Sequence, residues 1–244
     1  MPDIWTHLQS RTRASGGGPL VTFVDGGRSE RTELSSTSLE NAAAKIANAL
    51  RDAFDLEAGA VVGLYLPVHW QRAAWCGGVW TAGGIVALDA DPATVDLAVA
   101  GPDEAAALMG VAPGDVAVVS LHPLGLPATG RLPPGAEDVT LTVRQQPDAY
   151  LFERPTPVMA ALRVGERLLS QEDVLMEAGR RAADWGLTEG GRLLADDSLD
   201  LLDGWLAALA VPLVARGSVV LTRGPYSAAE LAGRERVTAR AEAG

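Results

Sequence analysis

Short, continuous apolar runs alternate with helix-like segments along the first half of this sequence. The runs read AVVGLYLP, IVALDADP, DLAVAG and DVAVVSLH. A run of this length without polar alternation is typical of a strand buried on both faces, as in parallel sheets covered by helices. Alternation of such strands with helices predicts an α/β fold with a mainly parallel sheet and flanking helices.

The segment before these runs predicts a hairpin and a helix. In PLVTFVDGGRSERTELS, two strand-like runs flank Asp25-Gly26-Gly27, where glycine would supply the positive φ of a tight turn. The sequence TSLENAAAKIANALRDAF then predicts an amphipathic helix. Its start carries a capping-box pattern, formed by Thr37 and Glu40.

A proline- and glycine-rich stretch, PLGLPATGRLPPGAE at 123–137, predicts a loop between two lobes. We therefore place an N-terminal lobe at 1–136 and a second α/β lobe at 137–244. In the second lobe, DVTLTVR and DAYLFE predict strands, and SQEDVLMEAGRRAADWG predicts a helix capped by Ser170. GRLLADD and SVVLT predict two further strands, and the last residues predict a short helix followed by a strand.

Composition excludes several functions. The net charge of −11 disfavours nucleic acid and anionic membrane surfaces as partners, because both require clustered positive charge. Lys45 is the single lysine, and Cys76 is the single cysteine, so no internal disulfide can form. Three scattered histidines give no zinc-ligand spacing, so we expect no metal. Without a signal-like or membrane-spanning segment, the expected location is cytoplasmic.

The stretch PDAYLFERPTPVMAALRVGERLL, at 147–169, resembles a strand, a turn and a helix in succession. In nucleotide-binding α/β proteins such a junction holds a phosphate loop. Here the turn, 153–158, has no glycine, no lysine and two prolines without N–H groups, and Glu153 would repel a phosphate. Arg154 and Thr156 could each contact an anion, but the composition favours a plain connecting turn.

An acidic cluster follows a predicted strand in ADDSLDLLDG. Its four carboxylates could bind Mg²⁺ or act in acid–base chemistry; they belong to Asp196, Asp197, Asp200 and Asp203. The favoured interpretation is the start of a helix that runs to about residue 217. Asp197 or Ser198 would cap that helix.

His122 ends an apolar strand, where it could face a ligand crevice. Ser120 lies two residues away on the same face, but no Gly-x-Ser-x-Gly elbow exists, so we favour a structural histidine. His69 opens a helix about two turns before Cys76, which is too far for a nucleophile–base pair. Packing, rather than ligand stacking, is the favoured role of Trp70.

Two stretches carry a resemblance to a known superfamily. Residues 34–92 resemble the N-terminal part of adenylate-forming enzymes, which include acyl-CoA synthetases, peptide-synthetase adenylation domains and luciferases. The matching features are Ala47-Asn48 in a capped helix, Leu66-Pro67 at the end of a strand and Ala82-Gly83 before the next strand.

Residues 186–221 are similar to the helix–strand–helix–strand that follows the phosphate loop in those enzymes, with Gly217 before the last strand. The resemblance implies the fold of the N-terminal portion of an AMP-dependent synthetase/ligase, with two lobes of mainly parallel sheet. The chain also resembles short actinobacterial proteins in which the phosphate loop is degenerate. The full enzymes continue into adenine- and acyl-pocket motifs and a C-terminal lid with a catalytic lysine.

The resemblance and the composition of the turn together predict a non-catalytic, acyl-CoA-synthetase-like pseudoenzyme that binds a partner or a small ligand. We expect no catalytic residue and no cofactor, ATP and AMP included. Four residues are candidates for ligand contact: Arg154, Thr156, His122 and Asp197. The alternative is a reduced adenylate-forming ligase that is active only with a second chain or with the missing C-terminal half. Residues 219–243 are expected to form either a capped sheet edge or an interface with a protein partner or a second copy.

Overall fold

A computed structural model of the chain describes residues 3–128 and 130–242. The strands are β1 (Pro19–Asp25), β2 (Glu30–Ser35), β3 (Val61–Tyr65), β4 (Ile85–Leu88), β5 (Leu97–Ala100), β6 (Val116–Val118), β7 (Glu137–Asp138), β8 (Ala160–Val164), β9 (Arg167–Ser170), β10 (Arg192–Ala195), β11 (Ser218–Arg223) and β12 (Ala239–Arg240). The helices are α1 (Ile4–Ser15), α2 (Ser36–Asp52), α3 (Trp70–Thr81), α4 (Pro102–Leu108), α5 (Thr140–Arg144), α6 (Gln171–Asp184), α7 (Leu201–Ala208), α8 (Ala210–Val214) and α9 (Ala228–Glu235).

The strands form two sheets. One sheet has five strands in the order β12-β10-β11-β1-β2, and the other has seven in the order β7-β6-β5-β3-β4-β8-β9. Neighbouring strands are parallel except in two hairpins, β1–β2 and β8–β9. The predicted α/β fold, with two mainly parallel sheets and flanking helices, is confirmed.

A shared apolar core lies between the two sheets. Both sheets turn one face toward it, and it contains buried side chains of α1, α2, α3, α6, α7 and α8. On β11, Val219 and Leu221 face this core, whereas Val220 faces outward against α9. Helix α4 covers the outer face of the seven-stranded sheet through Ala105 and Leu108. The period-2 alternation of the strands thus produces layers of helix, sheet, helix, sheet and helix.

Helices α2 and α3 approach closely at the centre of this core. A Cβ atom on Gly78 of α3 would lie 2.3 Å from Cγ2 of Ile46, and one on Gly77 would lie 3.2 Å from Cβ of Ala43. Such distances leave no room for a larger residue at Gly78. The two glycines therefore set the separation of the two helices on which both sheets rest.

The predicted division at 136 and 137 does not coincide with the division between the sheets. The five-stranded sheet takes β1 and β2 from one end of the chain and β10, β11 and β12 from the other, whereas the seven-stranded sheet is built from the middle. The loop before β7 connects two neighbouring strands of the seven-stranded sheet, because β7 pairs with β6. The two-lobe boundary itself stays a prediction. Thr129 of this loop lies outside the described residues.

The C-terminal segment ends at a sheet edge. β11 lies inside the five-stranded sheet, and β12 forms the edge beside β10 through Leu193 and Leu194. Ala243, the last residue of the segment for which we predicted a capped edge or an interface, lies outside the described residues. Within 3–128 and 130–242, no helix has the length and apolar composition needed to cross a membrane.

Two predicted strands are wrong. The sequence DVTLTVR forms the short helix α5, because Val139 and Val143, four residues apart, both pack on the core. DAYLFE forms no strand. Its backbone is bonded instead to the side chain of Asn48, which donates to the carbonyl of Ala149 (2.9 Å) and accepts the N–H of Leu151 (3.2 Å). Helix α2 thereby holds this segment as irregular chain.

The helical prediction for the end of 147–169 is also wrong. Residues 160–170 form the hairpin β8–β9, with a two-residue turn at Gly165-Glu166 in which Gly165 has φ +55°. β8 lies parallel to β4 and buries Leu162 opposite Val86. The prolines at 155 and 157 therefore lie in coil before a strand, and the strand–turn–helix junction does not exist.

Two local predictions need correction. Ser35, rather than Thr37, caps α2 by accepting the N–H of Ser38 at 3.1 Å. In the β1–β2 turn the residue with positive φ is Ser29 (+51°). Gly26 is required for another reason, because a Cβ there would lie 1.9 Å from the carbonyl oxygen of Pro225. The predicted β1–β2 hairpin and the Ser170 cap are confirmed.

The single helix predicted from about 198 to 217 is divided into α7 and α8 at Leu209, where φ is −144°. Pro212 accounts for the break, since it has no N–H to donate to Ala208 and its ring crowds that carbonyl. The N-cap is Asp200, which accepts the N–H of Asp203 at 2.8 Å, and not Asp197 or Ser198.

We expect Gly78→Ala to lower the free energy of unfolding by about 1–3 kcal/mol, because the added methyl group overpacks the α2–α3 contact. Gly233→Ala is the matched control. It lies in the helix α9, and a Cβ there meets nothing within 4 Å, so helix propensity should keep or slightly raise stability. Urea denaturation measures both. Equal effects of the two substitutions would contradict a close α2–α3 contact.

Candidate functional site

A crevice opens where the carboxyl ends of strands from both sheets meet. Its first cavity, of about 620 Å³, is lined by residues that follow β1, β3, β5, β6 and β11. A second cavity, of about 410 Å³, shares Pro67 and Arg223 with the first. We call the two together the carboxyl-edge cleft. In open α/β sheets, ligands bind at this end of the strands.

Arg223 lies between the two cavities. Its Nε donates to Oδ2 of Asp25 at 2.9 Å, and its guanidinium lies 5.4 Å from the ring centre of Phe23. Burial alone would raise the pKa of Asp25, but the hydrogen bond and charge of Arg223 outweigh burial and hold that pKa below its usual value. The pair therefore stays ionised and joins β1 to β11 at the floor of the cleft.

His69 lies buried behind this floor as the N-cap of α3. Its Nδ1 accepts the N–H of Gln71 at 3.3 Å, and its Nε2 lies 3.9 Å from Oε1 of Glu30. Burial and, to a smaller extent, the positive charge of Arg223 lower the pKa of His69 to about 3. The imidazole is therefore neutral at pH 7 and fills a structural position.

His122 and Ser120 line the first cavity, as expected for the carboxyl end of a strand. The hydroxyl of Ser120 accepts the backbone N–H of His122 at 3.2 Å, and Nδ1 of His122 accepts the N–H of Leu124 at 3.1 Å. Both side chains thus stabilise the backbone after β6. They are not hydrogen-bonded to each other as a nucleophile and its base would be.

The acidic cluster lies at the second cavity, where most of its carboxylates have structural partners. Asp196 accepts from Ser198 and from the hydroxyl of Tyr226, each at 2.5 Å. Buried Asp203 accepts from Nε of Arg181 at 2.5 Å. Asp197 is exposed in the cavity wall. No group of three or more potential ligand side chains in 3–128 and 130–242 is placed to hold a metal ion.

Arg154 and Thr156 lie at the opposite edge of the seven-stranded sheet. A Cβ atom on Gly83, just before β4 begins, would lie 3.6 Å from Cβ of Pro155. The segment 153–158 therefore adjoins the amino ends of β4 and β8. The structure places His122 and Asp197 at the cleft but does not bring Arg154 and Thr156 to them.

The segment 153–158 offers few donors to a phosphate group. Pro155 and Pro157 have no N–H, and the N–H of Thr156 is directed at Sδ of Met159, 3.4 Å away. Lys45 is engaged elsewhere, since its ammonium is 3.1 Å from the carboxylate of Asp148. This arrangement does not fit a triphosphate, which needs several free N–H groups and a cation directed at one point.

Some cleft residues were not predicted from the sequence. Arg72 of α3 donates through Nε and Nη2 to the carbonyl of Leu66, at 3.0 and 2.8 Å, and its guanidinium lies 4.6 Å from the ring centre of Trp205. Burial lowers the pKa of Arg72 to about 10. Arg223 could have been found, since it directly follows the predicted strand SVVLT. Arg72 could not, because its position depends on how α3 follows β3.

A comparison with family models found no match to the chain. A TIGR03089 family protein of Mycobacterium tuberculosis strain H37Rv is 41% identical over 211 residues, which cover 83% of this chain and 84% of that protein. Identity at this level over most of both chains indicates common descent as well as a common fold.

Solved structures of acyl-CoA synthetases share the fold. The Brucella canis acyl-CoA synthetase matches 98% of this chain with a TM-score of 0.77 and 20% identity, and the match covers 47% of that enzyme. The N-terminal domain of FACL13 from M. tuberculosis matches 97% with a TM-score of 0.70 and 14% identity, covering 62% of that domain. The chain thus spans about half the length of the synthetases it matches. At these identities the likeness shows the fold alone.

Acid should destabilise the protein partly through His69. Its pKa is 6.5 in the unfolded chain and about 3 in the folded protein, so below pH 6.5 only the unfolded state takes up this proton. Stability should therefore fall between pH 6.5 and 3, by up to about 1.4 kcal/mol per pH unit from this group. His69→Asn, which keeps a capping acceptor without a titrating ring, should flatten that slope in urea titrations at several pH values. Equal slopes in the two proteins would contradict a buried neutral histidine.

Proposed function

The chain belongs to the TIGR03089 family, and from that premise we propose that it is a non-catalytic protein with the fold of acyl-CoA synthetases that binds a small polar ligand in the carboxyl-edge cleft. A cytoplasmic location and the absence of a bound ATP or AMP are parts of the same proposal. The observation that carries it is a large cleft at the carboxyl ends of the strands, in which Ser120, His122 and Asp25 are engaged in structural bonds.

The chemistry of the cleft wall supports binding rather than reaction. Ser120 and His122 bond to backbone groups, and Asp25 is paired with Arg223. Cys76 is fully buried outside the cleft wall, and burial raises the pKa of its thiol. These groups are therefore not available as a reactive thiolate, an activated hydroxyl or a base.

The remaining charges of the wall suit a polar ligand. Arg28 and Arg131 are exposed in the first cavity, and neither has a carboxylate within 4.0 Å among the described residues. Asp103 and Glu104 line the same cavity. A wall with both free guanidinium and carboxylate groups can bind a small molecule through charge-assisted hydrogen bonds without an apolar pocket.

A small ligand is favoured over a partner at the C-terminal edge. β12 pairs with only two residues of β10, Leu193 and Leu194. A short edge strand gives a second chain little backbone to pair with, which is how sheet edges avoid association. We therefore propose that this end of the sheet is a capped edge.

A thermal-shift screen of small polar molecules tests the cleft. A molecule that binds there raises the Tm of the wild-type protein, because it binds the folded state alone. Arg131→Glu reverses one exposed charge of the wall and should remove the rise. The matched control is Arg154→Glu, which makes the same change at the opposite edge and should keep it. A screen in which both variants respond as the wild type does would contradict ligand binding at the cleft.

A further inference from the structure

A separate apolar pocket lies behind the segment that follows β6. It has a volume of about 240 Å³ and is bounded by Ile46 of α2, Trp70 and Trp75 of α3, Val119 after β6 and Val143 of α5. The carboxyl-edge cleft lies on the other side of the same segment, where Ser120 to Pro123 line its first cavity. The pocket is therefore distinct from the site of the proposed function.

The charged residues of the pocket wall are all cationic. Among the described residues that form the wall, Lys45 and Arg144 carry charge and no aspartate or glutamate is present. The walls of both cavities of the carboxyl-edge cleft, in contrast, contain several carboxylates. An apolar pocket whose wall carries only cationic charges favours an anionic ligand over a cationic one.

The two cations differ in their availability. The ammonium of Lys45 donates to the carbonyls of Arg144 and Gln146 and pairs with Asp148 at 3.1 Å, so it ties α2 to the end of α5. The side chain of Arg144 is exposed, with no carboxylate within 4.0 Å among the residues that the structure describes. Arg144 is thus the cation at the pocket that can bind an external anion.

We propose that this pocket binds an amphiphilic anion, whose apolar part lies against Trp70 and Trp75 and whose charged end meets Arg144. The volume of about 240 Å³ exceeds the roughly 150 Å³ of an engineered apolar cavity that accepts benzene, so a chain of about six carbons or one aromatic ring fits. The apolar wall supplies the affinity, and the rim arginine selects the sign of the head group.

Three probes that share a hexyl chain and differ in the charge of their head group test the charge preference: hexane-1-sulfonate, hexan-1-ol and hexan-1-amine. Isothermal titration calorimetry of the whole protein should show one site, with the sulfonate tightest and the amine weakest. A sulfonate is not a carboxylic acid, so its binding is independent of any acid-activating reaction. Binding that is equal for all three heads, or absent for all three, would overturn the proposal.

Two substitutions locate the binding. Ala42→Leu, from a half-buried position on α2 in the pocket wall, should weaken binding of the sulfonate and the alcohol by about tenfold or more by filling the pocket. Ala183→Leu, on the exposed face of α6, makes the same change away from the pocket and should leave affinity unchanged. Equal affinities in these two variants would overturn the location.

Arg144→Gln tests the anchor without disturbing the core. The sulfonate should bind about two- to fivefold more weakly, to the level of the alcohol, while the alcohol is unaffected. Arg180→Gln, at an exposed arginine of α6 that pairs with Glu177, is the control and should change neither affinity. A sulfonate affinity that is unchanged in Arg144→Gln would show that Arg144 does not bind the anion. Neither this result nor its opposite bears on the carboxyl-edge cleft, since no residue changed here lines it.

Discussion

The close contact of α2 with α3 is the constraint on which the rest of the structure depends. Gly77 and Gly78 let α3 approach Ala43 and Ile46 of α2 to a distance at which no side chain fits between them. The inner faces of both sheets pack on the core that these helices share. Because interiors are packed at nearly crystalline density, a wider separation of the helices would open voids beneath both sheets at once.

Buried hydrogen bonds extend this constraint from α3 to neighbouring elements. The indole of Trp80 donates to the carbonyl of Ala161 in β8 at 2.7 Å. Gln171, the first residue of α6, donates to the carbonyl of Trp80 at 2.9 Å and accepts the N–H of Ile4 at 3.0 Å. These side chains fix β8, α6 and α1 relative to the central helices. At the amino end of α3, the position of the helix places His69 and Arg72 beside the carboxyl-edge cleft.

Strongly periodic segments could be predicted from the sequence, and so could the family fold. Segments whose conformation depends on distant partners could not. DVTLTVR has the β-branched composition of a strand, yet it is the helix α5, because Val139 and Val143 pack on the core as i and i+4 neighbours. DAYLFE is largely apolar, yet its backbone is hydrogen-bonded at Ala149 and Leu151 to the side chain of Asn48, which is 101 and 103 residues away in sequence. Neither partner is visible in a local pattern.

The candidate site could likewise be predicted only in part. His122 follows a recognisable strand, and the rule that ligands bind at carboxyl ends places it beside the cleft; Asp197, which follows another strand, lies there too. Arg154 and Thr156 were placed by an assumed strand and helix on either side of them. Without those elements the segment lies at the amino ends of β4 and β8, at the edge of the sheet opposite the cleft. The residue types of 153–158 argue against a phosphate loop, whereas the position of the segment in the fold could not be predicted from the sequence.

We propose that this chain, which has the fold of acyl-CoA synthetases, does not catalyse their reaction. Acid-dependent exchange of labelled pyrophosphate into ATP measures that reaction most directly, with the purified chain, Mg²⁺, a panel of carboxylic acids and an active acyl-CoA synthetase as the positive control. We expect exchange in the control and none above background with this chain for any acid. Robust, acid-dependent exchange by the chain alone would contradict this proposal.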